Sequence, residues 1–372
     1  MKKWRHLLLT GTALFMISGC GKAVYIDTQR FFIAEGIDLN EENRLVLYSS
    51  IPVFSREATV KNKLTTVTVD TIRQAKMKLE SRLNGNVAPG KLQSILIGKK
   101  LLKQKSVFPY LDVFFRDPKN EINANVIVVD GTLEEVLHTK MDDKGRVGNV
   151  IKQLVESTYK GGISPRATLQ KYHQQMMDTA ITPSIPEMRV EKNDLVIAGA
   201  ALLHEDGTYA TSLGTQESSL LLLLQRDTNN PIPLSFHLSP ELFHTDDEMS
   251  YVSLEIKRAK LSIDPEYENN HLTLRIRMNV QIGLLEMMFH IDLKKQTKQL
   301  ELAIEQELQR ECQDLITKAQ KNQIDPFGFG IIMRAKEYKD WKKIEGNWGG
   351  ALSEATVTIS PQVTIQNTGV AN

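Results

Sequence analysis

Two runs in the C-terminal half constrain the fold most tightly: YVSLEIKRAKLSI at 251–263 and HLTLRIRMNVQI at 271–282. Successive strand residues point to opposite faces. A period of two therefore puts Val252, Leu254 and Ile256, then Leu272, Leu274, Ile276, Met278, Val280 and Ile282, on one side. Strands of that kind bury one face and must be covered. The expected cover is a long helix beginning near Lys294, with Leu300, Ile304, Leu308, Cys312, Leu315 and Ala319 as its apolar stripe. KKQTKQ and EQELQRE supply its solvated side. Cys312, on the stripe, is expected to be a small buried hydrophobe rather than a reactive thiol.

The rest of the chain mixes short strands and helices. FFIAEGIDL, the polar NEEN and RLVLYSSIPVF form an expected hairpin. LTTVTV (64–69) leads into a helix with Asp70 as its expected N-cap and Ile72, Ala75, Leu79 and Leu83 on one face. LQSILI (92–97) and the β-branched run ANVIVV (124–129) predict strands, the second buried on both faces. Helices are expected near Val107–Phe115 and over most of 132–180, broken at Gly161-Gly162 and Pro165. TPSIP at 182–186 carries two prolines and is expected to connect two domains. DLVIAGAALL then turns at Glu205-Asp206-Gly207, and Thr215 is the expected cap of a leucine-rich helix. The fold class is α+β and multi-domain, with mixed and antiparallel sheets packed with helices. The expected divisions are a leader at 1–19, an N-terminal α+β domain at 20–186 and a C-terminal α+β domain at 187–372.

The leader, MKKWRHLLLTGTALFMISGC, has a basic start and about a dozen apolar or small residues. That is short of the roughly 20 a membrane span needs, and it fits a secretory h-region. Its end, Ile17-Ser18-Gly19-Cys20, resembles a bacterial lipobox, so Cys20 is the expected lipidation site and mature N-terminus. Only two cysteines occur, and lipid on Cys20 leaves Cys312 without a disulfide partner. No later segment reaches spanning length; the five leucines 220–224 are expected to be a buried helix turn. With 46 basic and 45 acidic residues, no global field points to nucleic acid.

Catalytic and metal-binding spacings are absent. The eight histidines are scattered without HExxH, and no GxSxG elbow exists. Ser157-Thr158-Tyr159-Lys160 matches SxxK, but it closes a helix and has no KTG partner. Asp142-Asp143-Lys144-Gly145 is too short for a calcium loop. No catalytic, cofactor-binding or metal-ligating residue is assigned. Asp325-Pro326-Phe327-Gly328-Phe329-Gly330 is expected to be a packing hinge between two helices. Phosphate binding is the alternative, weakened by the lack of GxxxxGK[ST]. Trp341 is expected in the core.

These stretches, taken in order, resemble the Ger(x)C family, the lipoprotein C subunits of bacterial spore nutrient-germinant receptors. The resemblance is carried by Lys318-Ala319-Gln320 before DPFGFG, the basic helix holding Trp341 and the Val/Ile alternation at the end. It continues through Phe114-Phe115-Arg116-Asp117-Pro118 before ANVIVV, ILIG at 95–98, LVIAGAALL and the helix start at Glu217 to Leu224. It implies a non-enzymatic subunit without cofactors, anchored by lipid on Cys20 to the outer face of the spore inner membrane. It also implies assembly with two integral membrane partners, the A and B subunits, in nutrient-induced germination. The competing expectation is a stand-alone extracytoplasmic solute-binding lipoprotein, which needs a cleft between two lobes. An envelope hydrolase is a third, without an identified nucleophile.

Overall fold

The computed structural model of the protein describes residues 29–53, 62–82, 86–88, 90–116, 119–139, 145–243 and 245–367. Cys20 and its leader, Leu83, Asp117-Pro118 and Asp142 to Lys144 lie outside the described residues.

The N-terminal strands are β1 (Gln29–Phe31), β2 (Ala34–Leu39), β3 (Leu45–Pro52), β4 (Asn62–Thr68), β5 (Asn86–Ala88), β6 (Ser94–Gly98), β7 (Asn125–Val129), β8 (Ser184–Glu191), β9 (Asp194–Leu203) and β10 (Tyr209–Leu213). β1 and β5 pair with each other, and the other eight form one sheet in the order β10-β9-β8-β7-β6-β2-β3-β4. Its centre, β2-β6-β7-β8, is parallel, and the hairpins β2-β3-β4 and β8-β9-β10 flank it in antiparallel fashion. Helices cover both faces, which is why β7 reads as an unbroken β-branched run. One face carries α1 (Ile72–Glu80), α2 (Lys99–Gln104), α3 (Phe108–Arg116) and, after the next two helices in chain order, α6 (Leu169–Met176). The opposite face carries α4 (Leu133–His138) and α5 (Val147–Lys160).

The second sheet, in the order β11-β12-β13-β14, consists of β11 (Ile232–His237), β12 (Tyr251–Glu268), β13 (His271–Met287) and β14 (Thr356–Asn367). β12 and β13 are joined at Asn269-Asn270, both at positive φ, the backbone that a tight hairpin between right-twisted strands requires. A register shift between Ile256 and Arg258 moves the buried phase of β12 from Val252, Leu254 and Ile256 to Ile263 and Pro265. β14 runs parallel to β13, so a long connection must carry the chain back.

That connection contains the long helix. In chain order the remaining helices are α7 (Thr215–Leu224), α8 (Pro240–Phe243), α9 (Leu293–Lys321), α10 (Phe329–Lys336), α11 (Tyr338–Ile344) and α12 (Trp348–Ser353). α9 starts on Asp292, whose Oδ1 accepts from the Lys294 amide at 3.0 Å, and every member of its expected stripe is buried against the second sheet. Burying each leucine of that stripe contributes about 2 kcal/mol. Cys312 is 0% exposed, and burial pushes its thiol well above the usual range. It is packing, as expected.

α7 opens on the polar Thr215-Gln216-Glu217, but from Ser218 onward it is buried on every side, with Leu220 through Leu224 in one core with Ala200 and Leu202 of the larger sheet and Phe236 of the second. This helix joins the two sheets.

Three expectations are corrected. TPSIP is not a connection: Ser184 opens β8, and the chain stays in the larger sheet to Leu213, so the change of sheet comes at α7 and not at residue 186. Pro186 is tolerated because β8 meets β7 only at Glu187 and Met188, leaving no ladder donor to lose on that side. The cap of α1 is Thr71, whose hydroxyl accepts from the Gln74 amide at 3.3 Å, and not Asp70. The cap of α7 is Gly214, whose amide donates to Glu217 Oε2 at 2.9 Å, and not Thr215.

Candidate functional site

The DPFGFG stretch lies where α9 ends and α10 begins, against the segment that leads into β8. Gly328, at φ 76°, is the N-cap of α10 and has no side chain to satisfy the free amides of the first turn. Asp325 does this instead. Its Oδ1 accepts from the Phe327 and Gly328 amides at 3.2 and 2.9 Å. Its Oδ2 accepts from the Gly330 amide at 2.8 Å and Trp348 Nε1 at 2.9 Å. Burial raises the Asp325 pKa, and these donors pull it back only in part. A Cβ on Gly330 would stand 2.7 Å from the Ala180 carbonyl oxygen and 2.8 Å from Trp348 Nε1, so no side chain fits there.

The same turn fastens the two halves of the molecule. The Thr182 amide donates to the Asp325 carbonyl at 2.8 Å. Gln225 Nε2, just past α7, donates to the Pro326 carbonyl at 2.7 Å and to Ser184 Oγ at 3.0 Å. Arg334 grips Asp178 with two bonds of 2.8 Å, and this holds the Asp178 carboxyl below the usual carboxylate range. The Phe327 and Phe329 rings lie 4.9 Å apart, and Trp341, buried as expected, lies 5.2 Å from Trp348. DPFGFG is thus a packing hinge with a polar lock at its centre. The Gly328 and Gly330 amides that a phosphate would need are taken by Asp325, which excludes the phosphate-loop alternative for this turn.

A second polar cluster sits at the carboxyl ends of the parallel strands, where open sheets place their ligands. Lys99 Nζ lies 2.8 Å from Glu187 Oε1, 3.3 Å from Asp130 Oδ2 and 3.2 Å from Ser212 Oγ. Ser212 also donates to the other Glu187 oxygen and meets the Tyr209 hydroxyl at 2.8 Å. Burial works against the Lys99 charge, but the bond and charge of Glu187, with Tyr209 and Asp130, outweigh it and raise its pKa. These groups satisfy one another, so the cluster stitches β6, β7, β8 and β10 together and offers no spare valence.

The remaining sequence candidates do not converge. Ser157 donates its hydroxyl to the Leu154 carbonyl of its own helix at 3.0 Å, so SxxK is a helix end. Among the described residues, no group of three or more His, Cys, Asp or Glu side chains could hold a metal ion, and no helix is long and apolar enough to cross a membrane. The capping role of Asp325 within the hinge, and the part Trp348 plays in it, were not read from the sequence. The available signal was an acidic residue just ahead of Gly328 and Gly330, whose amides a carboxylate can cap.

Residues 22–190 match the family described as the spore germination protein N-terminal domain, and residues 198–369 match spore germination B3/GerAC like, C-terminal. The chain is similar to spore germination protein GerQC of Bacillus cereus, at 20% identity over 100% of this chain and 99% of that protein. Spore germination protein KC of Bacillus subtilis (strain 168) is 23% identical over 82% of this chain and 77% of its own length. The crystal structure of the GerBC protein shares the fold, with a TM-score of 0.57 over 90% of this chain and 98% of that one at 18% identity.

Proposed function

The chain belongs to the spore germination GerAC-like family, matched in order across both of its halves, and from that premise we propose that it is a non-enzymatic, lipid-anchored subunit of a spore nutrient-germinant receptor. The two-part family match is the observation that carries this reading. Cys20 receives the lipid and holds the protein on the outer face of the spore inner membrane. Two acyl chains give stable anchoring where one is marginal. Confinement to the membrane raises the effective concentration of the folded body near the integral A and B subunits with which it assembles. The Asp325 lock supports the reading by fixing both sheets into one body that can meet such partners as a unit.

The solute-binding alternative has less support. A two-lobed binding protein keeps a cleft between its lobes, and here α7 fills the space between the sheets with buried leucines.

The reading is tested by comparing wild-type protein with Cys20→Ala in spores. The wild type is expected in the membrane fraction, carrying labelled fatty acid and co-purifying with both integral subunits. Cys20→Ala is expected to lose the label and most of the membrane retention. Full retention and full co-purification without the label would show that the lipid is dispensable, and absence of both integral subunits from the wild-type purification would reject the receptor assignment.

A further inference from the structure

β1 opens at Gln29, pairs with β5 through Arg30 and Val87, and leads into β2 at Ala34. This is the end of the larger sheet at which its parallel strands start. The Gln93 amide, just before β6, donates to the Ile33 carbonyl at 2.8 Å, and the Asn125 amide, opening β7, donates to the Gln93 carbonyl at 2.8 Å. The start of α5 lies here too: Arg146 donates to the Val53 carbonyl at 3.4 Å, and a Cβ on Gly148 would stand 2.5 Å from Ile33 Cγ2. Gln29 is nine residues after Cys20. Even fully extended, that length of chain reaches only roughly 30 Å. A lipid on Cys20 therefore keeps this end of the folded body close to the bilayer. Charge is not balanced here, although it is over the whole chain. Arg30, Lys91, Lys119, Arg146 and Lys152 stand against exposed Glu121 and against Glu156, which is 3.9 Å from the Lys152 amine. β2 also buries Glu35, at 5% exposure and without a hydrogen bond among the described residues. Burial pushes it up to about 7, so below that pH it adds little negative charge. Lys91 and Lys152 share an open hollow of about 200 Å³ with Gln93, Glu121 and Asn123. Lys91 makes no ion pair among the described residues, and Gln93 Oε1 is buried without a donor. Beside the hollow, Ile122 is 42% exposed, held at the rim by the Gln170 amide, which donates to its carbonyl at 2.9 Å.

We infer that this end of the larger sheet docks on an anionic lipid surface, with a lipid phosphate between Lys91 and Lys152 and Ile122 entering the headgroup layer. The inference rests on the Cys20 anchor proposed above and adds an orientation to it. The charge selects the surface: each basic side chain near an anionic leaflet strengthens the contact about fivefold, whereas a zwitterionic leaflet offers no net field. An exposed isoleucine beside the cations suits a surface with an apolar layer beneath it better than a soluble anion. The glycerol hydroxyls of phosphatidylglycerol supply the donor that Gln93 Oε1 lacks. The acyl chains alone limit how far the body strays. The rim decides which end faces the bilayer, and it leaves the turn between β2 and β3 pointing away.

The test places a probe at either end of the larger sheet in the lipid-bearing protein reconstituted into vesicles. Cys20 is consumed by lipid and Cys312 is buried, so Ile122→Cys and Glu42→Cys each accept a single thiol-reactive fluorophore. At position 122 the fluorophore stands in for the apolar side chain. Glu42 is exposed in the turn after β2, about 20 Å along the strand from Ala34. Brominated lipid quenches only a fluorophore that touches the bilayer. In vesicles with about 30% phosphatidylglycerol, quenching at 122 is expected to exceed quenching at 42 about threefold. The excess is expected to vanish in phosphatidylcholine alone and in about 0.5 M salt. Lys91→Glu combined with Lys152→Glu, both outside the core, is expected to remove it while the protein still floats with the vesicles. Equal quenching at the two positions in anionic vesicles would overturn the inference. So would an excess left unchanged by the two charge reversals or by salt. Flotation keeps the two readings apart: protein that floats without the excess overturns the docking alone, and protein that does not float overturns the anchor with it.

Discussion

Replacing Glu35 with glutamine should change how the protein's stability depends on pH. Burial moves this carboxyl from its ordinary 4.5 up to about 7 in the folded state. Between those values the folded protein holds a proton that the unfolded chain has released, so rising pH favours unfolding. At about 1.4 kcal/mol per pH unit, the wild type is expected to lose about 3 kcal/mol through this one group between about pH 4.5 and about pH 7, and no more above that. Glu35→Gln has no proton to exchange there. Its amide still lacks a partner, at a pH-independent cost of about 1–3 kcal/mol. Urea unfolding of both proteins at a series of pH values isolates the effect, because every other titrating group cancels in their difference. That difference is predicted to move by about 3 kcal/mol in favour of the variant as pH rises from about 4.5 to about 7. A difference that stayed constant across the range would refute the reasoning, since it would mean that Glu35 is solvated or paired in solution.

Three further substitutions or probes follow from the junction and the core. Asp325→Asn turns one accepting oxygen into a donor that faces two others, and is expected to cost about 2–5 kcal/mol in urea unfolding; a loss under about 1 kcal/mol would show that the lock is loose. Arg334→Ala removes a partly exposed two-bond ion pair and is expected to cost only about 1 kcal/mol at neutral pH. Because Arg334 holds the Asp178 pKa low, that contribution is present above the ordinary aspartate range and fades as pH falls through the depressed value, so the variant and wild type should converge in acid. Cys312 should resist a thiol reagent in the folded protein and react at the rate of unfolding; rapid labelling without denaturant would contradict its burial.

The strongly periodic parts of the fold were legible in the sequence. β12, β13 and the α9 stripe each repeat a period over many residues, so local pattern alone fixes which face is buried. β7 was legible for the opposite reason: an unbroken β-branched run has no solvent face to spare. What escaped depended on contacts distant in the chain. TPSIP looked like a linker because prolines usually break sheets, yet whether Pro186 costs a bond depends on how far β7 extends beside it. Asp325 became the lock only because Trp348 and the Gly330 amide fold back onto it. Glu35, inside FFIAEGIDL, carries no local sign of burial. It is buried because β2 lies between β3 and β6 and is covered on both faces. The cap errors at Asp70 and Thr215 were each one residue wide, within the range over which neighbouring polar residues compete for the same amides.

The most direct test of the account is germination of spores that lack this chain, scored with nutrients and with a trigger that bypasses nutrient receptors. The account predicts loss of the response to at least one nutrient with the bypass response intact, restored by the wild-type chain and not by Cys20→Ala. A nutrient response unchanged in extent and rate for every nutrient tried, or an equal loss with the bypass trigger, would contradict it.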